Sequence, residues 1–285
     1  MTDLGWVRSW IEGSPYAAAL GVSVDDLSDT RLCLRLPYRH ENTNPGRVLH
    51  GGVAASLVSI SSQALARAAL GIESGPWHTA GVQITYLAAA VGEEVRATAR
   101  LLKRGKELCF VDVEVGTAEG KPIARGLATL RGRFGVPDAV LCRAGGDDGA
   151  QDPGAMGPHI SRTPFMGRLG LRVEHMQGGR SRLVLPWRDE NADAGGGVHE
   201  GAVLALLDTT GAMAGWAETG PGRFKASTPA IQAQIVAPPP RTDLVAFGRM
   251  VQRDQELFLC DVEISAAGGV VARGTVIYRI VTEAS

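Results

Sequence analysis

Asn42-Thr43-Asn44-Pro45-Gly46-Arg47-Val48-Leu49-His50-Gly51-Gly52 leads into a run of small and apolar residues. Asn191-Ala192-Asp193-Ala194-Gly195-Gly196-Gly197-Val198-His199-Glu200-Gly201 leads into a second run of the same kind. The two histidines lie 149 residues apart (199 minus 50), and that offset pairs residues over most of the chain. It aligns Pro15 with Pro164, Leu20-Gly21 with Leu169-Gly170 and Pro37 with Pro186. Further along it aligns Thr79 with Thr228, Gln83 with Gln232, Arg104 with Arg253, and Asp112-Val113-Glu114 with Asp261-Val262-Glu263. Ala124-Arg125-Gly126 matches Ala272-Arg273-Gly274 one residue out of step. A repeat this long is a duplicated domain; solenoid repeats run about 20–50 residues.

Each copy reads the same way. A short helical stretch opens it, within Leu4–Leu20 and again at Thr163–Leu169. A strand follows near Gly21–Leu27. Leu32, Leu34 and Leu36 then alternate with polar neighbours in a strand at 31–37, repeated at 180–186. After the glycine-bearing loop comes a helix, about Gly51–Leu70 and Gly201–Ala217. Long β segments close each copy: 79–88, 94–103, 107–116 and 122–133, then 228–236, 244–253, 256–265 and 270–281. One helix cannot cover both faces of such a sheet, so the expected architecture is α+β, with an antiparallel sheet wrapped around one helix in each copy. The expected boundaries are 1–134 for the first domain and 163–285 for the second. Residues 135–162, rich in Gly, Pro and Asp, read as a flexible surface linker.

The bulk numbers narrow the function. The chain has 285 residues and a formal net charge of −1, with 29 basic and 30 acidic residues. No block of like charge suggests a nucleic-acid footprint or a membrane anchor. No signal-peptide core or membrane-length apolar stretch is evident. Cys33, Cys109, Cys142 and Cys260 lack metal-ligand or disulfide-framework spacing. A soluble, cytoplasmic protein without metal or cofactor is the expectation. The loop before Gly51-Gly52 aims free helix N-terminal N–H groups outward, and the glycines let a ligand approach them, which is oxyanion-hole geometry.

The pattern Asn-x5-His-Gly-Gly at the start of the helix, with Ile84-Thr85-Tyr86 and the Arg104-Gly105-Lys106 turn, resembles the hot-dog-fold acyl-CoA thioesterases, in the subgroup similar to phenylacetyl-CoA thioesterase. The resemblance covers about 14–134 and 163–282 and implies two fused hot-dog domains. It implies a carboxylate nine residues after the His as general base or nucleophile, polarisation of the thioester carbonyl by the His-Gly-Gly amide and the Asn, and a Ser or Thr that places water. Position by position, the first copy keeps Asn44, His50, Gly51 and Gly52 but carries Ser59 at the acid position. The second carries Asp208 there, with Asp193 and Glu200 replacing the Asn and the first Gly. Thr79 and Thr228 occupy the Ser/Thr position.

Nine helical residues rise roughly 13 Å, so the acid cannot serve the N-terminus of its own helix but can serve an antiparallel neighbour. One composite site is therefore expected to be complete: Asn44, His50, Gly51 and Gly52 with Asp208 and Thr228. The other, Asp193, His199 and Glu200 with Ser59 and Thr79, is expected to be degenerate. His50 is read as fixing the helix start, and Glu200 as an acid suiting the helix dipole. Lys103, Arg104 and Lys106 are candidate partners for the coenzyme A phosphates, and Trp77, Trp187 and Trp216 are core residues or an acyl-pocket lining. The expected partner is an acyl-CoA substrate, bound by an internal pseudo-dimer that further homo-oligomerisation could extend. The competing readings are a non-catalytic acyl-CoA-binding protein and a hydratase on the same fold.

Overall fold

The computed structural model describes residues 4–133, 151–222, 224–266 and 269–281. The first copy runs α1 (Gly5–Glu12), α2 (Pro15–Leu20), β1 (Ser23–Leu27), β2 (Arg31–Leu36), α3 (Gly51–Leu70), β3 (His78–Tyr86), β4 (Val95–Arg104), β5 (Leu108–Thr117) and β6 (Pro122–Arg131). The second runs α4 (Gly157–Ile160), α5 (Pro164–Leu169), β7 (Arg172–Gln177), β8 (Arg180–Leu185), α6 (Glu200–Thr219), β9 (Lys225–Ile235), β10 (Leu244–Asp254), β11 (Leu257–Ala266) and β12 (Gly269–Val281).

Two details differ from the sequence reading. The opening helical stretch is two helices, because Ser14 Oγ accepts from Ala17 N and Pro15 takes the first position of α2, which together restart the helix. Cys142 and the linker residues up to 150 lie outside the described residues, but the rest of the expected linker is folded. Met176 N donates to Asp152 O at 2.7 Å, and α4 packs on β7 with Met156 and Ile160 against the core.

All twelve strands form one sheet, in the order β1-β2-β4-β5-β6-β3-β9-β12-β11-β10-β8-β7. β3 and β9 join the halves antiparallel, with Gln83 opposite Gln232. These two are equivalents under the repeat, so a pseudo-two-fold axis passes between them, as in the isologous interface of a dimer. Most inward residues of the strands are apolar. In β2, Leu32, Leu34 and Leu36 are buried while Arg31 and Arg35 are exposed.

The sheet wraps α3 and α6 so fully that nearly every residue of both is buried. α3 is long and apolar enough to cross a membrane, a stretch the sequence reading did not flag; it is buried here as the core helix of a wrapped sheet. The two helices run antiparallel. Gly52 faces Ala205, and four residues on, Ser56 Oγ donates to Gly201 O at 3.1 Å. A methyl group on Gly52 would lie 2.7 Å from Ala205 Cβ and 3.0 Å from Phe165 Cε1. Gly52→Ala should therefore lower stability by about 1–3 kcal/mol, as overpacking does. Adding Ala205→Gly should restore part of the loss, measured by denaturant unfolding of the single and double variants.

Candidate active site

The loop before α3 is held shut by its own backbone. Asn44 N donates to Val48 O at 2.8 Å, His50 N donates to Asn42 O at 3.0 Å, and Asn42 Nδ2 ties the loop to Leu20 O. The tip turns through Gly46 and Arg47, both at positive φ. His50 ends the loop, and its Nδ1 accepts from Gly52 N at 2.9 Å, capping α3. Burial pushes His50 down to about 4, so it is neutral at physiological pH and able to accept. Gly51 is the first residue of α3, so its N–H has no acceptor within the helix.

Asp208 arrives from α6, only 4% exposed. A methyl group on Gly51 would lie 3.1 Å from Asp208 Oδ2 and 3.5 Å from Tyr86 Cε1, so the open face of Gly51 looks onto both side chains. Thr228, near the start of β9, donates from Oγ1 to Asp208 Oδ1 at 2.7 Å. Burial pushes the Asp208 carboxyl up to about 6, against the lowering effect of the Thr228 hydrogen bond. Such a carboxylate is ionised at neutral pH yet basic enough to take a proton, and it stands beside a free helix N-terminal amide.

Residues 8–131 match the family described as a domain of unknown function, DUF4442. Human acyl-coenzyme A thioesterase 13 is 37% identical over 128 residues, which is 43% of this chain and 89% of that protein. The mouse protein of the same name is 36% identical over 111 residues, 38% of this chain and 77% of that protein. The chain belongs to the hot-dog-fold thioesterase family. Each of these relatives matches less than half of this chain while contributing most of its own length, as a single copy should. A hot-dog-fold protein of unknown function from Alicyclobacillus acidocaldarius matches with a TM-score of 0.66 at 14% identity, over 94% of this chain and 98% of that one. Acyl-CoA thioesterase II TesB2 from Mycobacterium marinum matches with a TM-score of 0.65 at 10% identity, over 96% and 99%. Those two show that the double hot-dog fold extends over nearly the whole chain.

The pseudo-two-fold of the hot-dog pair carries Gly51 onto Glu200, Asp208 onto Ser59 and Thr228 onto Thr79. This second cluster is filled by its own side chains. Glu200 accepts from Thr79 Oγ1, from Thr79 N at 3.4 Å and from Gln63 Nε2 at 3.0 Å. Gln63 Nε2 also donates to Ser59 Oγ at 3.1 Å. Arg67 lies behind them, its guanidinium 3.9 Å from the Trp10 ring centre and 4.8 Å from that of Trp77, and Trp6 stacks on Trp77. Burial is the largest influence on Arg67 and lowers it to about 10, while the charges of Glu200 and Asp193 oppose that shift. His199 caps α6 as His50 caps α3, with Gly201 N donating to its Nδ1 at 2.9 Å. Both clusters thus keep a carboxylate on a threonine hydroxyl, but from different positions: the middle of a helix at Asp208, the start of a helix at Glu200.

Other expected site residues land as follows. Asn44 is half-buried in the loop, and its side chain makes no hydrogen bond among the described residues. Its counterpart Asp193 accepts from Gly197 N at 3.1 Å. Gly52, expected at the substrate, instead gives its N–H to His50 and its open face to α6. Lys103, Arg104 and Lys106 are exposed at the β4–β5 turn, which strand register puts at the Thr79 end of the sheet. Leu108 pairs with Arg131, which pairs with His78, so the turn shares an end with Thr79. Thr228 lies at the other end, where Thr85 meets Ala230. Thr79 and Tyr86 are seven strand residues apart, roughly 23 Å, so the three basic residues are not brought to Asp208.

Trp187 lies outside both clusters, under Arg241, and Trp216 donates to Tyr278 Oη at 2.9 Å. Tyr86, Gln63 and Arg67 were not singled out from sequence. Ser59, Gln63 and Arg67 are spaced four apart on one helix face, a signal that was there to be read.

Two outcomes follow for stability. Glu200→Gln removes the counter-charge of Arg67 and leaves a carboxamide NH2 facing a donor, either Gln63 Nε2 or Thr79 N, and should cost about 1–3 kcal/mol in denaturant unfolding. Burial raises the Glu200 carboxyl too, against the Thr79 hydrogen bonds and the Arg67 charge, whereas Asp208 has the Thr228 hydrogen bond alone to oppose it. The folded value of Asp208 is raised from the ordinary 3.8 to about 6, so its charge weakens the fold as pH rises through that window. Asp208→Asn should then be more stable than wild type at pH 7, on the order of 1–3 kcal/mol, with the difference fading below pH about 4.

Proposed function

We propose that the chain hydrolyses acyl-CoA thioesters at one composite site, built from Asn44 and Gly51 of the first copy and Asp208 and Thr228 of the second. The observation that carries this reading is Asp208. It is a buried carboxylate from one half, held by Thr228 against the open N-terminus of the other half's helix. The names of the human and mouse relatives supply the substrate class.

The thioester carbonyl oxygen takes the Gly51 N–H and the Asn44 amide as donors, which stabilise the charge that develops there. Asp208 Oδ2 takes a proton from a water molecule as the water oxygen bonds to the carbonyl carbon. Thr228 donates its hydroxyl hydrogen bond to Oδ1 and keeps its proton, which leaves its oxygen lone pairs to hold that water. Collapse of the tetrahedral oxyanion breaks the C–S bond. The coenzyme A thiolate leaves and takes up the proton, and the acyl group departs as a carboxylic acid. Attack by Asp208 itself uses the same placement. His50 stays a cap, since its Nδ1 is engaged with Gly52 N. The second cluster takes no part, because Glu200 is saturated by Thr79 and Gln63.

Thiol release from short, medium, long and aryl acyl-CoAs tests this, the aryl substrates being included for the motif's likeness to phenylacetyl-CoA thioesterases. Asp208→Asn should lower kcat by about 10²–10⁴-fold, the range of a lost general base. Ser59→Ala should leave kcat near wild type. The wild-type kcat/KM should rise with pH to a plateau above an apparent pKa of about 6. Acyl-CoA binding without turnover by the wild type would instead favour a binding protein.

A further inference from the structure

Tyr86 is the last inward-facing residue of β3, and its ring edge borders the open face of Gly51, with Cε1 and Cζ 3.5 and 3.7 Å from the position a methyl group would take there. Its hydroxyl oxygen is buried and has no hydrogen-bond partner among the described residues. A buried, unpaired hydroxyl is costly, and is tolerated where a ligand completes the bond. Its neighbours do not offer that bond: Asp208 Oδ1 is taken by Thr228, and no hydrogen bond joins the phenol to Asp208 Oδ2. The repeat adds a second observation. The counterpart of Tyr86 is Ile235, buried in β9 on the side of the filled cluster. The phenol is present where the acid and the open amide are, and absent where they are not.

Resting on the hydrolase reading above, we infer that the Tyr86 hydroxyl donates a hydrogen bond to the substrate's carbonyl oxygen, as a further oxyanion donor beside the Gly51 N–H. Burial, followed by the nearby Asp208 charge, holds the phenol well above its ordinary value, so it keeps its proton and serves only as a donor. Its bond strengthens as charge gathers on the oxygen, so it should act on kcat more than on KM.

The test is Tyr86→Phe, which keeps the ring and removes the hydroxyl. It should be assayed with hexanoyl-, palmitoyl- and phenylacetyl-CoA beside wild type. The expected result is a fall in kcat of about 10²-fold, with KM within about threefold, Tm no lower than wild type, and the apparent pKa near 6 unmoved. Tyr86→Ile, the residue of the other copy, should lose kcat at least as much. A kcat for Tyr86→Phe within about threefold of wild type overturns the inference. So does a kcat loss with a shifted apparent pKa, which would make Tyr86 a positioning residue for Asp208. A wild type silent on every thioester overturns the hydrolase reading and this inference together, whereas an active wild type with an equally active Phe variant overturns this inference alone.

Discussion

The antiparallel crossing of α3 and α6 at Gly52 and Ala205 is the contact on which the rest of the architecture turns. Because Gly52 has no side chain, the helices approach closely enough for Ser56 to reach the backbone of Gly201. That distance sets how far Asp208 stands from Gly51. A wider crossing would separate the acid from the amide, since neither can be supplied to the other along a single helix. The sheet follows from the same geometry. Two helices packed this tightly form one cylinder, and the β3–β9 pairing closes a single sheet around it.

Composition at the two helix starts shows how one fold holds an open site and a filled one. At Gly51 the missing side chain leaves room between an amide and a carboxylate. At Glu200 the added side chain occupies the equivalent room and accepts hydrogen bonds from Thr79 and Gln63. Arg67, between two tryptophans, then fills the position that Trp216 holds in the other copy. Burying these charges is tolerable because each is met by donors or by an opposite charge. Burial of Asp208 has a different consequence. With one hydrogen bond from Thr228 and no cation beside it among the described residues, the carboxyl is poised near neutrality.

Much of the fold was legible in the sequence because the repeat makes each copy check the other. The strands, both long helices and the halves' shared order could be read from alternation and from the 149-residue offset. The acid, the amide and Thr228 were legible for the same reason: the two copies fail at complementary positions. What could not be read depends on three-dimensional register. Lys103, Arg104 and Lys106 look suited to phosphate in one dimension, yet β3, β5 and β6 carry them to the Thr79 end. Gly52 looks like part of a ligand loop, but its N–H belongs to His50. Tyr86 lies far from Asp208 in sequence and reaches it only because β3 pairs with β9. The folded part of the linker was hidden because its partner, β7, is distant in pattern though near in space.

The unlike residues at the two helix starts also decide which halves can combine. A pair made of two second copies would set Glu200 against Asp208 at both crossings, a carboxylate facing a carboxylate in a dry interior. A pair made of two first copies would set Gly51 against Ser59 twice, with no acid at either. Only the mixed pair places each acid against a neutral neighbour. Covalent linkage of one copy of each keeps that combination together and frees each half from having to match itself.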